Sequence, residues 1–469
     1  METTAPPKSA AISKILLRLF SFCVLVLLAR FAYVITVKGQ SCESIDFCFF
    51  PRTTISDADA AHLRRSHYTS VFRNLVAEGV LSKNSNSLCI ATQEGFEIDA
   101  LKEMGVASST VRYAEGFKFN QPFKNHTFDF VFAGFDRKSR QVRFASEVSR
   151  IVKPGGYFVV HTESANDAYG FNSLIRLVDT FTLLNSREII GLDSSLSWEL
   201  VFKKDNGIFY HTEKGEASKG KIDHECSVPR HKLELIEKAE PLIEEEPLKP
   251  RIALKRNIKN VKYLSKMVDI SFKNRYVYID LGARSYRSSI GGWFKKQYPK
   301  QEKPFEIYAV EADSAFHKEY TLKKGVTLLP YAAWIRNETL FFEISREQRR
   351  KKKEQGRGMG RVQSVQSASN FISDPNKIQG FDFATWLKSS VTNRDYVVVK
   401  MDIEGSEFHV IPRLIETKAA CLIDEMFLEC HYNRWEIRER CCPQKTYAQC
   451  LELFSSLRRI GVLVHQWYW

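Results

Sequence analysis

Apolar positions fall into one long run and many short ones. From Ile15 to Val37 almost every residue is apolar (ILLRLFSFCVLVLLARFAYVITV). After residue 58 the apolar runs are short and alternate with stretches at helical spacing. SLCIA (Ser87 to Ala91), FDFVFA (Phe128 to Ala133) and YFVVHT (Tyr157 to Thr162) predict buried strands. Tyr68, Val71, Phe72, Leu75 and Val76 make His67 to Val80 an amphipathic helix, and Phe96 to Met104 and Glu147 to Val152 read as further helices. Lys153-Pro154-Gly155-Gly156 stops the last of these and turns the chain into the next strand. Ser186 to Leu192 and Trp198 to Lys203 look like a closing strand pair.

The pattern then repeats. Strands are predicted at Arg275 to Gly282, Phe305 to Val310, Thr327 to Ala333, Tyr396 to Lys400 and Phe427 to His431, with helices at Ser289 to Lys296 and Phe381 to Leu387. Alternating strand and helix predicts an α/β fold with mostly parallel sheets, twice over: one domain over 58–205 and another over 258–469. The segment 206–257 between them carries charge and Pro241, Pro247 and Pro250, and reads as a linker with at most one docking helix, Leu233 to Leu242. His224, Cys226 and His231 in it read as incidental rather than as metal ligands.

The long run is a membrane-anchor candidate. About 23 helical residues at ~1.5 Å each reach ~35 Å, against a hydrocarbon core of ~30 Å. Lys8, Lys14 and Arg18 lie before or at its start, while Glu43 and Asp46 follow it. The positive-inside rule then predicts a cytosolic N-terminus over 1–14, a single-pass type II anchor over 15–37, a stem over 38–57 and a lumenal body, the layout common in Golgi enzymes. The sequons at Asn125 and Asn337 and the cysteines at 42, 48, 421, 430, 441, 442 and 450 fit an oxidising lumen, with Cys23 and Cys89 as buried free thiols. Composition changes little in this picture. The 469 residues are 44% hydrophobic and 26% charged, enough for two cores, and part of the net charge of +14 sits in the run Arg346 to Arg361, read as a solvated surface loop. No nucleic acid partner is expected, because that reading rests on net charge alone and conflicts with the anchor.

Candidate chemistry gathers at strand ends in the second half. The strand Tyr396 to Lys400 runs directly into Asp402, Glu404, Gly405 and Glu407. In open parallel sheets ligands bind outside the carboxyl ends of the strands, so these acids are a site candidate as well as a set of helix-capping carboxylates. Upstream, Asp280-Leu281-Gly282-Ala283 ends one strand and Glu311-Ala312-Asp313 ends the next, the acid-and-glycine turn followed by a second acid that nucleotide-type cofactors require. Asp402 can orient an acceptor hydroxyl or take its proton. Glu404 and Glu407 support Asp402 or hold a divalent cation with it. His431 is either a general base or a satisfied strand-end histidine. No metal site is assigned.

FDFVFA followed by EVSRIVKPGGYFVVHT resembles the later half of class I methyltransferases that use S-adenosylmethionine (SAM). The front of that half departs from the family: Ala91 stands where a glycine is expected, no acid ends the first strand, and the stretch from Gly105 to Phe128 is short. The resemblance therefore implies a degenerate domain that keeps the fold without SAM. The order DLGA, VEAD, LPYAAW and VKMDIEGSE resembles FkbM-type methyltransferases. Together the halves resemble plant-type membrane-anchored methyltransferase-like proteins with tandem Rossmann-like domains. That likeness implies SAM as cofactor, held by Asp280, Gly282, Ala283, Glu311 and Asp313, with Asp402, Glu404 and His431 as catalytic residues. It also implies O-methylation of a carbohydrate or other small lumenal acceptor at the Golgi membrane. The rival expectation is an inactive scaffold that works through protein partners.

Overall fold

The computed structural model describes residues 57–91, 95–106, 108–112, 123–135, 141–162, 166–190, 196–205, 228–248, 258–344, 360–364, 376–432 and 445–467, together with Leu25. Apart from Leu25, the predicted anchor lies outside these residues, as do Cys42, Cys48, Cys441, Cys442, His224, Cys226 and most of the basic run. Among the described residues no helix is long and apolar enough to cross a membrane. The chain divides into two units, Met1–His62 and Leu63–Trp469. In the first unit only Leu25 and the opening of helix α1 (Asp57–Ala77) are described.

The second unit contains two six-stranded sheets and a smaller one. The first sheet is built from β1 (Ser87–Ala91), β2 (Ser108–Arg112), β3 (Phe128–Phe135), β4 (Val152–Thr162), β5 (Phe181–Ile190) and β6 (Leu196–Lys204), in the order β2-β1-β3-β4-β6-β5. Its first four strands are parallel, and the β5/β6 hairpin closes it antiparallel. Successive side chains alternate between faces. Leu88, Ile90, Val131 and Phe158 bury one face, and Cys89, Phe130, Phe132 and Val159 bury the other, so these strands read as continuous apolar runs. Helices α2 (Phe96–Glu103), α3 (Gln141–Ile151) and α4 (Ala168–Leu177) connect them. The Lys153-Pro154-Gly155-Gly156 turn is absorbed into the start of β4, with Gly155 at φ 76°.

The second large sheet holds β7 (Tyr276–Leu281), β8 (Phe305–Val310), β9 (Val326–Leu329), β14 (Tyr396–Met401), β15 (Glu425–Leu428) and β16 (Leu463–Gln466). All its pairings are parallel, in the order β16-β15-β14-β7-β8-β9. Counted along the chain this is 3-2-1-4-5-6, the doubly wound order whose direction reverses between β7 and β14. Every residue of β7 and β14 is buried.

The expected strand Thr327 to Ala333 is two strands. Pro330 carries no amide hydrogen and cannot continue a ladder, so β9 ends before it. Beyond it, β10 (Ala332–Trp334) joins β11 (Glu338–Ile344), β12 (Gly360–Ser364) and β13 (Asn376–Asp382) in the small sheet, order β10-β13-β11-β12. The helix expected from Phe381 starts later, as α7 (Phe383–Ser390): Asp382 caps it by accepting from Thr385 N at 3.0 Å. The helix expected at Ser289 to Lys296 is a π-helical turn, Ile290–Phe294, continued by Lys295–Gln297.

The linker docks in part. Helix α5 (Arg230–Glu237) lays Leu235 and Ile236 against the second core, and Glu240 Oε1 lies 2.5 Å from His465 Nδ1 on β16. The buried Asp424, just before β15, gathers three further segments. Tyr169 of α4 donates to it at 2.8 Å, and Lys232 and Lys273 lie at 3.1 and 3.5 Å. Burial opposes its charge, but the two ammonium groups and the Val397 amide prevail and hold its carboxyl at about 2. The two halves thus meet through a desolvated charge cluster rather than through apolar side chains alone.

Candidate functional site

The site is built where β7 and β14 end side by side. Register pairs Lys400 with Asp280 and Met401 with Leu281. Asp280 is fully buried, accepts from Ser289, and lies 3.4 Å from Lys400 Nζ. Lys400 also lies 3.6 Å from Asp402 Oδ2. Burial alone would discharge this ammonium, but Asp280, Asp402 and Glu429 outweigh it and keep Lys400 charged.

After β14 the chain turns tightly into helix α8 (Glu407–Glu416), with Glu404 at φ 52° and Gly405 at φ 101°. A glutamate in the left-handed region costs roughly 1 kcal/mol, so something must hold it there. Glu407 does: its buried carboxylate accepts from Ile403 N at 2.9 Å and Gly405 N at 2.7 Å, an acid at a helix N-terminus that also locks the preceding turn. The same carboxylate meets His431 Nδ1 at 2.8 Å. His431 comes from the segment that follows β15. Glu429 N donates to Met401 O at 2.9 Å, and the Cys430–Cys450 disulfide fastens the segment to helix α9 (Tyr447–Arg459).

Three predicted catalytic residues converge. His431 Nε2 lies 3.5 Å from Asp402 Oδ1 and 3.5 Å from Glu404 Oε2. Its side chain is fully buried, whereas that of Asp402 is 20% exposed. Burial would depress the His431 imidazole, but Glu407, Glu404 and Asp402 push it up to about 9. A fully buried imidazole behind Asp402 is poorly placed as the first proton acceptor. The outward group is Asp402.

The five predicted cofactor residues have a different character. Gly282 is at φ 77°, and a Cβ there would run into the carbonyl oxygen of Asp402. The glycine admits the neighbouring strand's backbone, where the sequence reading had it admit a cofactor. Asp280 and Ala283 are sealed from solvent. Asp313 caps helix α6 (Ser314–Thr321) by accepting from Ala315 N at 3.0 Å. Glu311 accepts from Arg284 N and Asp313 N, both at 2.6 Å, one on each oxygen. Burial raises its carboxyl to about 7 against those two amides. A carboxylate offers about four acceptor positions, so Glu311 keeps acceptor capacity beyond the two amides.

Sequence reasoning set Glu429 beside His431 at a strand end but passed over Lys400. The signal was available, because a lysine closing the apolar run YVVV must be neutralised by neighbours when its strand is buried. Asp129, the acid of the first half's FDFVFA strand, is structural: it accepts from Asn86 N at 3.0 Å and from Lys153 Nζ at 2.8 Å.

Residues 236–340 and 346–468 match a family described as Domain of unknown function (DUF7870), just under half of the chain. No curated protein matches. Among solved structures, a candidate sarcosine dimethylglycine methyltransferase from Galdieria sulphuraria is 12% identical, covers 30% of this chain and 86% of its own, and has a TM-score of 0.25. A SAM-dependent methyltransferase from Aquifex aeolicus is 13% identical, with coverages of 30% and 98% and a TM-score of 0.23. The [4+2]-cyclase SpnF is 14% identical, with coverages of 29% and 81% and a TM-score of 0.23. Likeness at these scores assigns no activity, and the functional reading rests on the site itself.

Proposed function

We propose that the chain is a SAM-dependent methyltransferase whose working site is the carboxyl edge of the second sheet. The observation that carries this reading is the placement of Asp402. It is a partly exposed carboxylate at the point where the strand order reverses, backed by His431, Glu404 and Lys400. SAM, when bound, supplies an electrophilic methyl group. Of this chain's residues, Glu311 holds the ribose hydroxyls. Asp402 orients the acceptor hydroxyl and takes its proton, and Lys400 balances the charge beside it. An oxygen acceptor follows, because a carboxylate pairs well with a hydroxyl donor. A carbohydrate or a similar polyol is the class we favour.

The proposal extends to placement: a single-pass type II anchor at Ile15 to Val37 with a lumenal Golgi body. The Cys430–Cys450 disulfide supports an oxidising compartment, and Asn125 and Asn337 are exposed for glycosylation. Glycosidase digestion should shift the mobility of the membrane-bound protein, and the shift should vanish when both Asn125→Gln and Asn337→Gln are introduced.

A second reading, an inactive scaffold, draws support from Gly282 and Asp280, whose roles are spent inside the fold. Binding of labelled SAM to the full chain separates the two. Glu311→Gln should abolish binding, whereas Asp402→Asn should bind SAM but lose transfer by about 100-fold or more. A folded protein that binds no SAM would favour the scaffold.

A further inference from the structure

The geometry points to a divalent metal site formed by Asp402, Glu404 and His431, with Glu407 as the residue that positions the imidazole. The inference uses the same site as the methyl-transfer reading but does not depend on SAM, because the ion is detected directly.

The argument starts from the histidine. Both Glu407 oxygens already accept backbone amides, so Glu407 is an acceptor and His431 Nδ1 donates to it. In the neutral imidazole this fixes the tautomer and leaves Nε2 as a bare lone pair. Nε2 is buried and has no hydrogen-bond partner. Yet it is aimed at two carboxylates, Asp402 Oδ1 and Glu404 Oε2. A lone pair facing two anions is repelled unless something positive lies between them.

A proton on Nε2 is one answer, and it would draw an acceptor in to ~2.9 Å, the usual N–H···O separation. Both oxygens instead stand at 3.5 Å. Ligand atoms ~2.1 Å from a common ion and ~109° apart are separated by ~3.4 Å. The three donor atoms all lie within 4.8 Å of one another, close enough to share one ion. Glu429 Oε1, 3.7 Å from Nε2, stands at the rim of the same space.

Charge favours the ion as well. Asp280, Asp402, Glu404, Glu407 and Glu429 surround one lysine and one histidine. Grouping carboxylates in a mostly desolvated place is costly without a compensating cation. The carboxylate–histidine–metal relay, in which an acid fixes the far ring nitrogen, is how imidazole ligands are generally held. The mixed set of one imidazole and two carboxylates selects manganese or zinc over calcium or magnesium, which prefer all-oxygen shells. Three protein ligands with Asp402 toward solvent leave coordination positions open for an acceptor's oxygens, as in catalytic rather than structural sites.

The test is metal content and affinity of the full-length protein in detergent. The protein is stripped with chelator and titrated separately with Mn2+, Zn2+, Mg2+ and Ca2+, with the thermal midpoint recorded for each sample. The expected result is one equivalent of Mn2+ or Zn2+ and a raised midpoint. Asp402→Asn, at the open side, and Glu404→Gln, which keeps the side chain's shape, should lose that binding while remaining folded. Glu407→Gln should weaken it by about 10- to 100-fold, the scale for a residue that orients a ligand. Stoichiometric binding that survives the Asp402→Asn/Glu404→Gln double variant would overturn the site. So would a folded protein that binds neither Mn2+ nor Zn2+, or one that binds Ca2+ more tightly than both. None of these readings depends on SAM, so failure of the methyl-transfer proposal leaves the metal result intact.

Discussion

Two strands occupy equivalent places in the two large sheets, and they end differently. In the first sheet β3 leads into no acid cluster, and its one acid, Asp129, sits at the strand's start, tied to Lys153 and Asn86. In the second sheet β14 runs into Asp402, Glu404 and Glu407, and the next strand delivers His431 to meet them. The sheets share mostly parallel strands with both faces buried, so the architecture does not decide which half carries chemistry. What decides it is whether the carboxyl edge holds polar groups beyond those its own turns require. In the first half Asp129 serves a turn and a surface pair, and the buried Glu199 is paired with His161 and Arg187, whereas the second half has an imidazole nitrogen and an outward carboxylate left over.

The contrast can be broken at several points. The largest effect is expected at Asp424, where the halves meet. Asp424→Ala leaves Lys232 and Lys273 without their buried counter-charge and should cost about 3–5 kcal/mol in denaturant unfolding. The pH dependence has a definite sign. The folded carboxyl lies at about 2, below its unfolded value near 3.8, so its contribution is complete above about pH 4 and is lost as pH falls toward 2. Asp424→Asn should flatten that acid limb, and an unchanged acid transition would remove Asp424 from the account.

Next come the two glycines that follow the first strand of each half. Gly282→Ala places a Cβ against the Asp402 carbonyl at positive φ and should destabilise by about 3 kcal/mol, misplacing Asp402 as it does so. Gly95, at φ 75°, has only Ile98 nearby, at 3.4 Å from a built Cβ, so Gly95→Ala should cost only the left-handed backbone term, about 1 kcal/mol. Equal costs would mean that the close approach at Gly282 is not what the glycine serves. The smallest effect belongs to the acid of the first half. Asp129→Asn breaks an ion pair whose side chains are about 40% exposed, and should change stability by less than about 1 kcal/mol with no effect on methyl transfer.

Much of this was legible in the sequence. The buried strands at Ser87–Ala91 and Phe305–Val310 were placed to the residue, because a short β-branched or aromatic run bounded by turn residues allows little else. The acids after β14 were legible as a candidate site for the same reason: polarity changes abruptly where a buried strand stops. The small sheet was not. Its strands lie on both sides of the basic insertion, and the parallel pairing of Ala332–Trp334 with Gly380–Asp382 joins residues far apart in the chain. The purpose of Gly282 was hidden too. A D-x-G turn reads the same whether the glycine makes room for a ligand or for the carbonyl of a strand about 120 residues later. The convergence of His431 on Asp402 and Glu404 depends on β14 and β15 being neighbours, which periodicity does not state. Helix α9 did carry a local signal, the capping box of Thr446 with Gln449, and it was passed over.

The central claim is that the second half, not the first, holds the cofactor and the chemistry. Equilibrium binding of labelled SAM to the full-length protein tests it most directly, with Glu311→Gln and Asp129→Asn measured beside the unaltered chain. The account predicts one equivalent of SAM, lost in Glu311→Gln and unchanged in Asp129→Asn. Binding that survives Glu311→Gln, or no binding by the folded unaltered chain, would contradict it.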